Sequence, residues 1–194
     1  MSASICVFIF SRSGSTTWGA SALNGPSGTP SNACLTCASA TAEDAKPNDA
    51  QIAHIAYTAD QIDINAAELA LQKSKNKEVR DFAENMVRDH KAVNEQALAL
   101  VKKLHVTPQD NDTSKGLVKQ ATAKEAESKP LSGAAFDKAY ADNEVAYHKT
   151  VNNALETVLI PDASNPELKD LLTTGLKIFQ GHEQHAEHVA QSLK

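Results

Sequence analysis

Aromatic residues are scarce in this chain, at 5% of 194 residues, whereas alanine, leucine, valine, lysine, glutamate and glutamine are plentiful. This composition favours helices over sheets. No apolar run approaches the ~20 residues that are needed to span a bilayer. No block of Lys/Arg could track nucleic-acid phosphates, and the net charge is -5. We therefore expect an all-α domain with no transmembrane segment and no nucleic-acid partner.

Several catalytic motifs are also missing. After residue 37 the chain has no cysteine, no Gly-x-Ser-x-Gly sequence and no glycine-rich loop, which disfavours nucleophilic catalysis and phosphate binding. It also lacks Glu-x-x-His, the motif of di-iron carboxylate bundles, although Glu144 and His148 stand at i, i+4. An enzyme is therefore not the favoured interpretation, and metal-dependent redox chemistry stays an alternative.

Residues 1–48 are rich in Ser, Gly, Thr, Pro and Ala, a composition that cannot bury enough apolar surface to fold. The three cysteines all lie here: Cys6, Cys34 and Cys37. The last two form a C-x-x-C, but without further ligands or a folded setting this motif does not indicate a redox or zinc site.

The sequence Ala38-Ser39-Ala40 resembles a signal-peptidase cleavage site, yet the apolar run "ICVFIF" is too short for a signal peptide. A mis-called start or a shifted reading frame would give this picture. We predict that residues 1–48 are a disordered tail or a degraded or mis-called secretion signal. The folded domain is predicted to span residues 49–194.

Four long stretches of the domain carry apolar residues at three- and four-residue steps, which predicts helices with one buried face. They span residues 49–73, 76–104, 133–159 and 166–192, and a short helix is predicted at 113–127. Short turns join the first pair and the last pair, while the connection between the pairs is long. This arrangement predicts a ferritin-like four-helix bundle with an extra helix in the crossover.

Metal-capable side chains interrupt all four apolar stripes. Asp63 lies on the first stripe, His90 on the second, His148 on the third and His182 on the fourth. Buried imidazoles and carboxylates are costly unless they are paired or ligated. Together they would suit a transition metal ion such as Zn, Cu, Fe or Ni. The alternative is a structural or interaction bundle whose histidines are hydrogen-bonded core residues.

Counting from the turns indicates how deep these groups lie. Asp63 and His90 differ by about one helical turn, roughly 5 Å, whereas His148 and His182 differ by roughly 7 to 8 Å. One shared site and two pairs at different depths therefore both remain open. Two neighbouring carboxylates complete the candidate metal ligands: Asp89 and Glu144.

The last helix ends in "HEQHAEHVA", which places three histidines at i, i+3 and i+6. They fan across about 120° of the helix at 100° per residue, so only one of them can face the core. We expect that one to be His182. His185 and His188 are expected to form an exposed patch.

The segments "FAENMVRDH", ending at His90, and "FDKAYADNEVAYH", ending at His148, resemble the bacterial ferritin-like proteins grouped as domain of unknown function 4142. The resemblance covers about residues 48–193. Members of that family are often labelled putative membrane or outer-membrane proteins and usually begin with a secretion signal. The resemblance therefore implies a periplasmic or cell-envelope location.

The family pattern has an acidic residue in the first helix, Asp-His in the second, Tyr and His in the third and His in the fourth. In this chain the matching residues are Asp63, Asp89-His90, Tyr140 and His148, and His182. The usual acidic residue of the first helix is Glu, so Asp63 is one methylene shorter. No established reaction comes with the family, and a role in envelope stress or metal handling is the resulting hypothesis.

Overall fold

The computed structural model of the protein describes residues 46–194. The predictions for the three cysteines and for Ala38-Ser39-Ala40 lie outside the described residues. Within them the chain forms helices and no strand, which confirms the all-α prediction. The α-helices are α1 (Asp49–Lys73), α2 (Lys77–Lys103), α3 (Asp112–Ser128), α4 (Gly133–Ala154), α5 (Ile160–Asp162) and α6 (Pro166–Ser192).

Asparagine side chains set the start of three of the helices that build the bundle. Asn48 accepts a hydrogen bond from the backbone of Gln51, whose side chain accepts one from Asn48 in return, so two free N–H groups are satisfied. Asn76 and Asn165 cap α2 and α6 without a return bond, and each accepts from two backbone N–H groups. These caps fix where each helix begins.

The four long helices pack as two hairpins, α1 with α2 and α4 with α6. The hairpins meet mainly where α2 packs against α6, with further contacts between α1 and α4. The crossover between them carries α3, which lies along α1. No helix in the described part of the chain has a stretch that is both long enough and apolar enough to span a bilayer.

The core is divided into two apolar clusters. The first includes Phe82, Phe136 and Val189, and the second includes Ile52, Leu155 and Leu172. On each long helix a buried candidate ligand (Asp63, His90, His148 or His182) falls between the positions that belong to the two clusters. The bundle therefore holds a buried polar layer near the middle of its length, which is where the predicted ligands lie.

The third long helix differs from the prediction of one regular helix over residues 133–159. Regular α-helix ends at Ala154, and Leu155–Leu159 forms a π-helical turn that leads into α5. The short turn that was predicted between residues 159 and 166 thus begins as helix. A π turn inserts one extra residue into the helix. Here it leaves both Leu155 and Leu159 buried in the second cluster.

Candidate metal centre

Three imidazoles from three helices meet in the polar layer. His90 of α2 and His148 of α4 are each 1% exposed, and His182 of α6 is 6% exposed. Their ring centroids lie 5.2 to 5.8 Å apart. The depth difference that the sequence left open is thus resolved, because the histidines of both hairpins come together.

His148 is oriented by the backbone of its own helix. Its Nδ1 lies 3.0 Å from the carbonyl oxygen of Glu144, one turn earlier. A carbonyl can only accept a hydrogen bond, so Nδ1 must carry the proton. The lone pair is then on Nε2, which has no hydrogen-bond partner among residues 46–194. This is the tautomer that a metal ligand needs.

His182 is oriented by a carboxylate. Its Nε2 lies 3.1 Å from Oδ2 of Asp89. Hydrogen bonds from Arg88 come first among the causes that lower the pKa of Asp89, and the bond to His182 acts in the same direction. The ionised carboxylate accepts, so Nε2 donates. The lone pair lies on Nδ1, which is buried and finds no partner within the described residues.

His90 contacts two carboxyl groups of α1. Its Nδ1 lies 2.9 Å from Oδ1 of Asp60, and its Nε2 lies 3.6 Å from Oδ2 of Asp63. The ring also stacks on Phe179, with centroids 4.6 Å apart. Burial raises the pKa of Asp60 well above its usual value, so the tautomer of His90 depends on whether Asp60 holds a proton. When a nearby cation stabilises the Asp60 carboxylate, Nδ1 donates to it and Nε2, which has no hydrogen-bond partner in the described chain, is free to bind the ion. Each of the three imidazoles thus has one nitrogen held by a partner and one nitrogen without a partner.

Within residues 46–194, two overlapping groups of side chains have the spacing of a metal site. One nitrogen each from His90, His148 and His182 lie within 4.8 Å of one another, and Asp63, Glu144 and His148 form a second such group. Nitrogens on a tetrahedral ion at 2.0–2.1 Å lie roughly 3.4 Å apart. Small side-chain movements would therefore suffice to close either group around an ion.

Burial sets the protonation of these groups. Loss of water lowers the pKa of His90 to about 4 and that of His148 to about 3, and it also lowers the pKa of His182. All three imidazoles are therefore neutral at pH 7, as metal ligation requires. Burial also raises the pKa of Glu144 to about 8 and raises that of Asp63 well above its usual value. Glu144 therefore retains a proton at pH 7 that an incoming cation would displace.

The remaining candidates lie at the edge of this cluster. Asp89, which the sequence offered as a candidate ligand, belongs to neither of the two groups and instead contacts His182. The hydroxyl of Tyr140 is buried without a hydrogen-bond partner in residues 46–194. His185 is half-buried with its ring edge against Phe82, 5.0 Å between centroids, and His188 is exposed.

Asp60 is the buried residue that the sequence analysis missed. It is 4% exposed and makes the closest contact of any carboxylate to His90. The sequence feature that could have identified Asp60 is its position three residues before Asp63, which places both carboxyls on one face of α1.

The fold and the centre define an all-α helical bundle with a buried cluster of histidine and carboxyl groups. The family model described as "Domain of unknown function (DUF4142)" matches residues 35–189. The chain therefore belongs to this family, and the resemblance seen in the sequence is confirmed. The match begins within the segment that was predicted as a tail.

One solved structure similar to this chain is described as "CopM in the Cu(II)-bound form". The TM-score is 0.59 at 14% sequence identity, and the likeness covers 77% of this chain and 99% of that one. At this identity the likeness supports the helical-bundle fold alone. No curated protein matches the chain.

Proposed function

We propose that this protein binds one transition metal ion in the interior of its bundle through His90, His148 and His182, and that it serves metal handling or a stress response in the cell envelope. The observation that carries the proposal is the state of the three imidazoles. Each has one ring nitrogen held by a partner, and each has a second, buried nitrogen without a hydrogen-bond partner in the described residues.

This arrangement is the one that metal sites use. A ligating histidine commonly donates its other N–H to a carboxylate or a carbonyl, which fixes the tautomer and orients the ring. Three buried ring nitrogens without a hydrogen-bond partner are otherwise unfavourable, because buried polar atoms cost free energy when they are left unpaired. A metal ion would satisfy all three at once.

The chemistry of the ligand atoms indicates which class of metal ion would bind. Three neutral imidazoles suit copper, zinc, nickel or iron, whereas calcium and magnesium prefer oxygen ligands. Asp63 and Glu144 could add oxygen donors beside His148. Copper is the first ion to test, since the similar solved structure is that of a copper-bound protein.

The test is calorimetric titration of the full chain with Cu(II), Zn(II), Ni(II) and Fe(II). Cys6, Cys34 and Cys37 are replaced by serine throughout, so that thiols do not bind the ions. We expect one ion per chain, and we expect His148→Ala to abolish that binding because His148 belongs to both ligand groups.

The matched control is His188→Ala, which removes an exposed histidine from the helix that carries His182. It is expected to leave binding unchanged. Binding that disappears with His188 and survives loss of His148 would mean a surface chelator and would overturn the proposal. Absence of tight binding by any of the four ions would favour the alternative of a structural bundle.

The envelope location is a separate part of the proposal. It is supported by the resemblance of the chain to proteins that begin with secretion signals and by the Ala38-Ser39-Ala40 sequence. Fractionation of cells that express a C-terminally tagged chain tests it, with N-terminal sequencing of the product. A tagged protein found only in the cytoplasm would contradict this part and leave the metal site untouched.

A further inference from the structure

The buried centre is closed on most sides. His90 and His148 are each 1% exposed, as is Glu144. An ion can therefore reach the free nitrogens only if side chains move. The route of that movement follows from which of the surrounding residues lie nearest to solvent.

One approach passes through apolar surroundings. A cavity of about 40 Å³ lies between the helices on the side of the second apolar cluster, and Asp60 and Phe179 form part of its wall where they contact His90. Its other lining residues are almost all Ala, Val and Leu. A metal ion would lose its water there without gaining polar partners, which is strongly unfavourable.

The other approach is polar and leads to the surface. The His182 side chain is 8% exposed, and Asp89, to which it is bonded, is 26% exposed. Arg88 covers Asp89 from outside with two hydrogen bonds of 2.7 and 3.0 Å, and its side chain is 67% exposed. His182, Asp89 and Arg88 thus form a continuous row from the centre to solvent.

We propose that Asp89 is the access point through which a metal cation reaches the buried histidines, and that Arg88 is the gate that closes it. This inference rests on the proposed function. In the closed arrangement the guanidinium occupies the carboxylate and repels an approaching cation. When Arg88 swings away, Asp89 offers its charge to the ion and releases His182, whose ring can then turn outward and carry the ion inward.

A gate and a ligand have different effects on metal binding. Arg88 contacts none of the three free nitrogens, so its removal should change the rates at which the ion enters and leaves rather than the strength of binding. Exposed ion pairs of this kind shift an opening equilibrium by about two- to fivefold. Arg88→Gln should therefore raise both the association and the dissociation rate constants by about two- to fivefold. Asp89→Asn should lower the association rate, because the attracting charge is lost.

The measurement is stopped-flow absorbance with Co(II), whose visible spectrum reports ligation, on the full chain with its three cysteines replaced by serine. The matched control is Lys91→Gln, which removes one positive charge from an exposed position on the same helix, where Lys91 pairs with Glu68. Any general electrostatic effect on association appears in that control, whereas faster dissociation appears only when a gate is opened.

A second arm needs no metal. Diethyl pyrocarbonate modifies accessible imidazoles, and peptide mass spectrometry locates the product. In Arg88→Gln we expect faster modification of His182 than in the unsubstituted chain, with His90 and His148 still protected. Lys91→Gln should leave the rate at His182 unchanged.

The outcomes distinguish the two proposals. Co(II) binding with rates in Arg88→Gln equal to those in Lys91→Gln, and no change in the modification of His182, overturns the gate and leaves the metal site standing. The absence of any Co(II) spectrum counts against the metal site. It also overturns the gate, because no ion would then pass Asp89. Faster exchange in both directions, limited to Arg88→Gln, supports the gate.

Discussion

At the scale of single residues, the three buried histidines are held by three different kinds of partner. His148 is held by a backbone carbonyl, His182 by a carboxylate that reaches the surface, and His90 by the buried carboxyl of Asp60. Of these three partners, only the carboxyl of Asp60 is both buried and able to ionise. Burial raises the pKa of Asp60 well above its ordinary value, so its negative charge is costly until a cation lies nearby.

This makes Asp60 the most informative residue to change. We expect Asp60→Asn to lower metal affinity by about 10- to 100-fold, the usual effect of removing a partner behind a ligating histidine. The amide still fits the space but no longer supplies a charge. Calorimetric titration with Cu(II) measures the effect.

The control is Asp142→Asn, an exposed position on α4 whose carboxylate pairs with Lys138. It should bind as tightly as the unsubstituted chain. An affinity of Asp60→Asn within twofold of that chain would mean that His90 does not depend on Asp60 for its role.

Much of the residue-level picture could be predicted from the sequence. Histidines that interrupt an apolar stripe must face the interior, so His90, His148 and His182 were identifiable one helix at a time. Their partners were not. Asp89 faces α6 rather than His90, and this depends on how the two hairpins dock, which no single helix encodes. The role of these residues in binding a metal stays a prediction.

At the scale of elements, helix ends were easier to predict than helix regularity. The bounds of α1 and α6 match the predicted 49–73 and 166–192. Each helix begins after an asparagine cap, and α6 has a proline in its first turn; both are local signals of a helix start. The π turn at Leu155–Leu159 was not predicted. Its extra residue is held by packing against the second cluster, and "LETVL" carries no local mark of it.

The cap of α6 gives an element-level prediction. The Asn165 side chain accepts hydrogen bonds from the backbone of Glu167 and Leu168. Asn165→Ala should lower the free energy of unfolding by about 1 kcal/mol, the usual value of such a cap. Urea denaturation followed by circular dichroism measures it.

Asn153→Ala is the comparison, because it removes the same side chain from an exposed position within α4. That change should be neutral or slightly stabilising, since alanine favours a helix interior. Equal losses in the two variants would show that the cap is not what holds the start of α6.

At the scale of the whole molecule, the bundle consists of two apolar clusters separated by a layer of buried titratable groups. Burial of the apolar clusters stabilises the fold, whereas any ionised group in the polar layer destabilises it. The layer is built from all four long helices, so its protonation affects the stability of the entire bundle.

The pH dependence of stability follows from this layer. Above about pH 7.5, roughly one unit above the ordinary histidine pKa, the histidines are largely neutral in both the folded and the unfolded chain and contribute little slope. Glu144, with its pKa raised to about 8, still largely keeps its proton there in the folded protein, whereas the unfolded chain has lost it. The folded state then binds more protons, and the free energy of unfolding falls as pH rises from about 7.5 to about 8, by up to about 1.4 kcal/mol per pH unit for each retained proton.

Urea denaturation of the metal-free protein across this range measures the slope. Glu144→Gln cannot ionise and should flatten it, whereas Glu84→Gln on the exposed face of α2 should keep it. A stability that rises from pH 7.5 to 8 in the metal-free protein would contradict the assignment of a protonated Glu144 to the polar layer.

Because of the π turn, the number of residues between α4 and α5 matters for the buried centre as much as the ligands themselves. His148 and Glu144 lie on the N-terminal side of Leu155–Leu159, and the second cluster holds the other side. Deletion of one residue there would convert the turn to regular helix and rotate everything before it by about 100°. Glu144 and His148 would leave the interior together, although neither had been changed. Gain or loss of a single residue in this segment would therefore separate relatives that keep the buried centre from relatives that have lost it, even where every histidine is still present.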